Sequence, residues 1–346
     1  MIKIGIVGYG YWGPNLVRNF FEVPEKFTVA AVCDMNADRL RAAQLRYPSV
    51  RMTSDVHEII NAPDIDAIAI ATPVSTHFDL AYRALRAGKH VLVEKPLTST
   101  VEQAEQLVEF AEARRRTLMV DHTFVYTGAV RKMRELVETG ELGTLYYYDS
   151  VRVNLGLFQH DVDVIWDLAV HDLSIMDYVV GEHPIGVSAT GSSHIDGRAE
   201  NIAYVTMFFE SSLIAHIHVN WLAPVKVRRT MVGGSRKMVV YDDVEPSEKI
   251  KVYDKGVDVR GPEDIYRRLI SYRSGDMTAP QLDIAEALRT EVYEFASAIE
   301  QNRKPLTDGE AGLRVVRLLQ AATHSMKARG RLVDVSAAKV AHDSVY

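Results

Sequence analysis

Three residues of this chain are best suited to moving a proton. One is a lysine at the end of an apolar run, in Glu94-Lys95-Pro96; the others are a carboxylate and an imidazole four residues apart, Asp167 and His171, in Trp166-Asp167-Leu168-Ala169-Val170-His171-Asp172. Imidazole exchanges a proton near neutral pH, and a neighbouring carboxylate fixes its orientation and charge. A lysine ammonium stabilises negative charge developing on a reacting oxygen. On a helix, the i, i+4 spacing of Asp167 and His171 sets both on one face. Blander readings stay open on residue type alone: a solvated Lys95, an N-capping Asp167, a satisfied core histidine at 171.

A glycine motif says what these groups would act beside. Gly8-Tyr9-Gly10-Tyr11-Trp12-Gly13 follows the first apolar run and opens a helical pattern, which is the context that makes such a motif a dinucleotide-binding turn. Gly8 permits the tight turn, Gly10 the approach of a pyrophosphate, and Gly13 close helix-to-strand packing. Asp34, at the end of the second apolar run, can accept hydrogen bonds from ribose hydroxyls and would repel a 2′-phosphate. NAD is therefore expected rather than NADP, with Arg39 and Arg41 as the residues that argue the other way. Asp34 could also cap the helix that begins near Asn36. Thr72-Pro73 ends another apolar run, His77 follows it, and these join Tyr9, Tyr11, Trp12, Glu94 and Lys95 as expected cofactor contacts; for Thr72 and His77, turn and helix-start roles are equally open.

The elements that must position these residues alternate in the first third of the chain. Strands are expected at 3–7, 28–33, 67–71, 90–93 and 117–120, and helices at 12–21, 37–46, 56–61, 76–87 and 101–115, a rhythm that specifies βαβ units and a parallel sheet. Beyond residue 121 come a helix at 130–138, a strand at 145–153 and a helix at 168–180. Strands then follow at 185–194, 203–210, 213–221, 226–232 and 237–241 with no helix between them, as in an antiparallel sheet. Helices at 284–301 and 309–329 close the chain. The expected fold class is α/β: an N-terminal Rossmann doubly wound parallel sheet over 1–121, then a C-terminal α+β domain with an open, mainly antiparallel sheet over 122–346, whose last helix is free to return to the first domain.

Composition narrows the classes. The 346 residues, 47% hydrophobic and 25% charged, suit two compact globular domains. A formal net charge of −6 provides no field for a phosphate backbone, so no nucleic-acid partner is expected. The lone Cys33 cannot form an internal disulfide, and neither a leader-like start nor a membrane-length apolar run is seen. The expectation is a cytoplasmic protein without a membrane partner.

In their order and spacing, the glycine motif, Thr72-Pro73 with His77, Glu94-Lys95-Pro96, the turn Glu138-Thr139-Gly140-Glu141-Leu142-Gly143, and Asp167 with His171 resemble the Gfo/Idh/MocA oxidoreductases. The resemblance covers nearly the whole chain. That family includes inositol dehydrogenases and sugar-nucleotide 3-dehydrogenases. The resemblance implies that Lys95 contacts the reacting hydroxyl, that His171 acts as acid or base with help from Asp167, and that the open sheet joins subunits into a homodimer or homotetramer. This chain departs from the family where many members carry Asn and Arg, having Asp121-His122-Thr123-Phe124-Val125-Tyr126 instead, and where Ala169 replaces a glycine. Tyr126 is expected either to make a substrate contact or to pack between domains. The segment Arg152-Val153-Asn154-Leu155-Gly156-Leu157-Phe158 resembles members acting on nucleotide-linked sugars, so Arg152 and Asn154 are expected to hold sugar hydroxyls or a phosphate, or else to be ordinary strand polarity.

The implied function is hydride transfer between NAD and a secondary alcohol of a sugar, nucleotide-linked and at C3, with inositol or a free sugar as the alternative. Two further readings stay open. His160, Asp161, Asp163, Asp167, His171 and Asp172 form a run that could bind a divalent metal, although no metal is expected beside a redox cofactor. A dinucleotide-binding sensor without catalysis is the other, against which the retention of Lys95, Asp167 and His171 argues.

Overall fold

The computed structural model describes residues 1–156, 162–195, 199–258 and 271–335. They form two units, one of residues 1–127 with 285–317, the other of 128–284 with the chain from Leu318. Leu157 and Phe158, together with His160 and Asp161 of the His/Asp run, lie outside the described residues.

Six strands make the first unit's sheet: β1 (Ile2–Val7), β2 (Phe27–Cys33), β3 (Arg51–Thr53), β4 (Ala67–Ile70), β5 (His90–Glu94) and β6 (Leu118–Asp121). Their order is β3-β2-β1-β4-β5-β6, and every pair is parallel. Four-residue β4 is buried throughout, as strands covered on both faces are. Helices α1 (Gly13–Phe21), α2 (Ala37–Arg46), α3 (His57–Ile60), α4 (His77–Arg86) and α5 (Val101–Arg114) supply the cover. Strand order reverses between β1 and β4, so the crevice outside their carboxyl ends is the position where such sheets bind ligands.

The first unit does not end with β6. A 3-10 turn, Thr123–Tyr126, carries it to Thr127, and α8 (Ala287–Gln301), here numbered after α6 (Gly128–Glu138) and α7 (Val170–Val180) of the other unit, belongs to it. Leu288, Val292, Phe295 and Ala296 are buried along one stripe of α8, with the Phe295 ring stacked on Phe27 at 6.1 Å. Just before α8, Glu286 takes both arms of the Arg18 guanidinium, at 2.9 and 2.5 Å. The chain then runs along β6, where the Val120 N–H donates to the Thr307 carbonyl at 2.8 Å. The last helix, α9 (Gly309–Lys327), is divided between the units at Arg317.

The second unit holds nine strands, β7 (Leu145–Leu155), β8 (Gly186–Ser192), β9 (Ile202–Phe208), β10 (Ile214–Asn220), β11 (Leu222–Gly234), β12 (Met238–Asp242), β13 (Ile250–Tyr253), β16 (Met277–Thr278) and β17 (Val333–Asp334), with β14 (Gly256–Asp258) and β15 (Ser271–Arg273) paired apart. The order β16-β13-β12-β11-β7-β10-β9-β8-β17 is antiparallel except at β7·β10. Alternation is clean: Ala203, Val205 and Met207 of β9 and Ala215, Ile217 and Val219 of β10 are buried, while Tyr204 is 45% exposed on the opposite face. The fold class is therefore the expected one. The short strands β3, β13, β16 and β17 were not expected, because two to four residues cannot display a period. No helix among the described residues is long and apolar enough to cross a membrane.

Phe295 tests the place of α8. Its side chain is fully buried, so Phe295→Ala is expected to lower stability by about 3–5 kcal/mol, read by denaturant unfolding. A loss below about 1 kcal/mol would mean that α8 does not pack on this sheet.

Candidate functional site

The three motif glycines do three different jobs. A Cβ on Gly8, whose φ is +98°, would lie 2.4 Å from the Ala71 carbonyl oxygen, and one on Gly13 would lie 2.1 Å from the Gly8 carbonyl oxygen. Packing alone bars side chains at both. At Gly10 the nearest atom is 3.5 Å away, on the Arg39 guanidinium, so this position is kept bare for something other than protein packing. No side chain caps α1 at Trp12, and Pro14 in its first turn has no N–H; with the Asn15 N–H donated to the Trp12 carbonyl at 2.9 Å, the Gly13 N–H is the first-turn donor that faces an anion. This cradle fits a dinucleotide pyrophosphate.

Asp34 is 8% exposed at the end of β2. Its Oδ2 accepts the Tyr9 N–H at 2.7 Å and its Oδ1 the Asn36 N–H at 2.8 Å. Asn36, not Asp34, caps α2, taking the N–H groups of Asp38 and Arg39. Arg39 lies 3.6 Å from Asp34, which partly offsets the repulsion a 2′-phosphate would meet. The aromatic residues of the loop part company. Tyr9 is packed inside, with burial raising its phenol pKa; Trp12 donates its indole N–H to Asp121 Oδ2 at 2.6 Å; Tyr11 stays 89% exposed. Of the three side chains, Tyr11 is thus the one left open to a ligand.

His77 needs a correction. It is 1% exposed, with Nδ1 2.9 Å from the Pro96 carbonyl oxygen and Nε2 2.8 Å from that of Thr72. Burial depresses its pKa against the pull of these acceptors. It braces the loop after β4 to the loop after β5 rather than touching a cofactor. The Lys95-Pro96 peptide on the braced loop is cis, and Lys95 is partly buried at the carboxyl edge of the sheet. Beside it, burial first and the Asp121 charge second push the Glu94 carboxyl well above the usual carboxylate range. Thr72 Oγ1 lies 2.6 Å from Thr76 Oγ1.

In the second unit, Asp167 lies in a π-helical turn, Ile165–Ala169, that precedes α7. The expected single α-helix from residue 168 is therefore interrupted: the Val170 N–H reaches back five residues to the Ile165 carbonyl, a feature that recurs at functional sites. Asp163 opens the turn by accepting the Ile165 and Trp166 N–H groups at 2.9 and 3.1 Å. The buried Trp221 donates its indole N–H to Asp167 Oδ2 at 3.0 Å. His171 is partly buried in the first turn of α7.

Two expected substrate contacts are corrected. Arg152 is 2% exposed and pairs with the equally buried Asp172, Nε to Oδ2 at 2.6 Å and Nη2 to Oδ1 at 3.3 Å, while Ser150 also donates to Asp172 at 2.6 Å. In β7 the residues Tyr148, Ser150 and Arg152 share the covered face, and strand alternation turns this arginine inward. Its charge is spent on Asp172. Tyr126 is 3% exposed, and its hydroxyl lies 2.9 Å from Thr307 Oγ1, so it packs within the first unit. Asn154 remains partly exposed on β7. Among the described residues, no group of three His, Cys, Asp or Glu side chains could hold a metal ion.

Asp121, Glu291 and the Arg152 pair were missed as a set. Glu291 is fully buried on the apolar stripe of α8, between Leu288 and Val292; a carboxylate on such a stripe is the signal that could have found it.

Comparison with known proteins places both halves in one family. Residues 2–122 match the model of the GFO/IDH/MocA oxidoreductase family, NAD-binding Rossmann fold, and residues 130–240 match its C-terminal domain. The chain is 28% identical to a UDP-N-acetylglucosamine 3-dehydrogenase of Acidithiobacillus ferrooxidans over 91% of this chain and 94% of that one. It is 25% identical to a myo-inositol 2-dehydrogenase of Thermotoga maritima, over 94% and 96%. A solved structure of a UDP-N-acetylglucosamine 3-dehydrogenase from Acidithiobacillus ferrooxidans superposes with a TM-score of 0.80 at 25% identity, covering 94% of this chain and 98% of that one.

The corrected role of Arg152 has a measurable consequence. Arg152→Ala leaves Asp172 buried without its cation and is expected to cost roughly 3–5 kcal/mol, while the double change Arg152→Met, Asp172→Leu recovers much of it. Thermal and denaturant unfolding read both. An Arg152→Ala protein as stable as the parent would return this arginine to the list of ligand contacts.

Proposed function

This chain belongs to the Gfo/Idh/MocA family of oxidoreductases acting on CH–OH groups, and we propose that it oxidises a ring secondary alcohol of a nucleotide-linked sugar, at C3, to a keto sugar. The observation that carries the chemistry is the placement of Lys95 at the carboxyl end of β5, on the sheet edge where the bare Gly10 and Asp34 also lie. The substrate class is supported by the whole-length likeness to the UDP-N-acetylglucosamine 3-dehydrogenase. The likeness to the myo-inositol 2-dehydrogenase makes a free polyol the second reading.

NAD, when bound, supplies the hydride acceptor. Gly8, Gly10, Gly13 and the α1 N-terminus would hold its pyrophosphate, and Asp34 its ribose hydroxyls. Lys95, as an ammonium, donates a hydrogen bond to the reacting hydroxyl oxygen and stabilises the charge that grows there as the proton leaves. His171 accepts that proton. Asp167, held by the Trp221 indole, orients the imidazole and compensates its charge. A diphosphate on the substrate must be met by groups other than Arg152.

Three measurements test this reading. Asp34→Ser is expected to weaken NAD and relax discrimination against NADP; wild-type protein that binds NADP tenfold more tightly than NAD would overturn the role of Asp34. Lys95→Ala and His171→Ala should each lower turnover by about 10²- to 10⁴-fold with NAD binding retained, and near-normal turnover in His171→Ala would move the base elsewhere. The substrate is decided by NAD reduction with UDP-, GDP- and dTDP-sugars beside free inositol and glucose. Robust oxidation of free polyols with none of any nucleotide sugar would remove the substrate class and leave the dehydrogenase.

A further inference from the structure

The glycine loop is tied to its sheet from two opposite sides. On one side the Gly8 N–H donates to the Cys33 carbonyl at 2.8 Å and the Tyr9 N–H to Asp34 Oδ2 at 2.7 Å, both at the end of β2. On the other side the Trp12 indole N–H donates to Asp121 Oδ2 at 2.6 Å, at the end of β6. In the sheet β2 adjoins β1 directly, whereas β4 and β5 stand between β1 and β6. Gly10, the bare position, falls between the two ties.

The second tie is a strong one. Asp121 is 2% exposed, and its other oxygen accepts the Thr123 hydroxyl, so the carboxylate is held at both ends. Hydrogen bonds from N–H groups to carboxylates are short and about twice as strong as those between neutral groups. Partner residues 109 apart in sequence mean that nothing local to the loop produces this bond.

One backbone donor depends on it. The Gly13 N–H belongs to the peptide that joins Trp12 to Gly13, whose carbonyl takes the Asn15 and Leu16 N–H groups at 2.9 and 3.3 Å. In a planar trans peptide the N–H points opposite to the carbonyl, so here it points out of the helix N-terminus. The indole bond sets where that peptide stands along the carboxyl edge of the sheet.

We propose that Asp121 is a positioning residue for the dinucleotide: acting through Trp12, it holds the exit of the glycine loop so that the Gly13 N–H meets the pyrophosphate. Asp34 holds the entry of the loop and also meets the ribose; Asp121 meets no part of the ligand. A tie that served stability alone would leave ligand affinity where it is. The proposal rests on the dinucleotide site described above.

Calorimetric titration of the whole protein with NAD, NADP and ADP-ribose tests it without turnover. Trp12→Phe keeps a ring and removes the donor, and Asp121→Ala removes the acceptor. Each is expected to weaken all three ligands by about tenfold or more, the effect of one hydrogen bond to a charged group. Because the pyrophosphate is common to the three, the preference between NAD and NADP should stay as in the parent, whereas Asp34→Ser changes it. The double variant should bind no more weakly than the worse single one, since both changes remove the same bond. Asp121→Asn, whose amide oxygen can still accept the indole N–H, should recover most of the affinity. Parent-like affinity in Trp12→Phe, additive losses in the double variant, or an altered preference between NAD and NADP in either single one overturns the proposal. If Asp121→Ala does not fold, Trp12→Phe and Asp121→Asn decide. A parent protein that binds none of the three ligands would remove the dinucleotide site itself; a parent that binds them beside variants that match it removes only the role of Asp121.

Discussion

A carboxylate withdrawn from water must be given donors or a proton, and at Asp121 that demand draws on two separate stretches of the chain. Trp12 comes from the glycine loop and Thr123 from the turn after β6. An uncompensated charge in such a place would cost several kcal/mol, so each donor matters to the others' positions. The return of residues 285–317 to the first unit follows the same logic. Thr307 exchanges two hydrogen bonds with Val120, through its carbonyl and its hydroxyl, and so pairs the outer edge of a sheet that would otherwise end exposed.

The second unit meets the same demand with an ion pair. Asp172 enters from α7, and the inward face of β7 supplies Arg152 and Ser150 to its two oxygens, with Tyr148 donating to its backbone carbonyl. A planar guanidinium answers a carboxylate fork with two directed bonds, which fixes α7 against β7 in one register. That register sets where His171, one residue before Asp172, begins its helix. The π turn and the Trp221 indole then fix Asp167 upstream of it. What looks like a binding arginine in sequence fastens the helix that carries His171.

Legibility in the sequence tracks the distance over which a feature is determined. Five of the six strands of the first sheet, its helices and the glycine loop were readable because each is encoded within a few residues: short apolar runs, a glycine triplet, a carboxylate at the next strand end. Helix α2 was placed to the residue. The π turn was not readable, since its sequence differs from an α-helical start by nothing that a hydrophobic period records. Nor were the inward turn of Arg152, the brace made by His77 and the burial of Tyr126, because each depends on a partner brought near by the fold, Asp172, Pro96 and Thr307 in turn. Glu291 sits on the apolar stripe of its own helix, a local anomaly whose meaning needs Asp121 to be seen beside it.

This division explains why the cofactor half of such a protein is recognised before the substrate half. A pyrophosphate is held by backbone N–H groups and by the absence of side chains, so its site is written in glycines that packing forbids to change: a Cβ at Gly8 or Gly13 would overlap a carbonyl oxygen. A sugar is held by side chains whose direction depends on strand register and on which charges the interior has already claimed. Once Arg152 is committed to Asp172, polarity along β7 no longer indicates a phosphate contact, and Asn154 near its end stays partly exposed. Charge that would meet any anionic group on a substrate has to come from positions that the interior leaves unclaimed, which makes substrate identity a property of the folded arrangement rather than of any one motif.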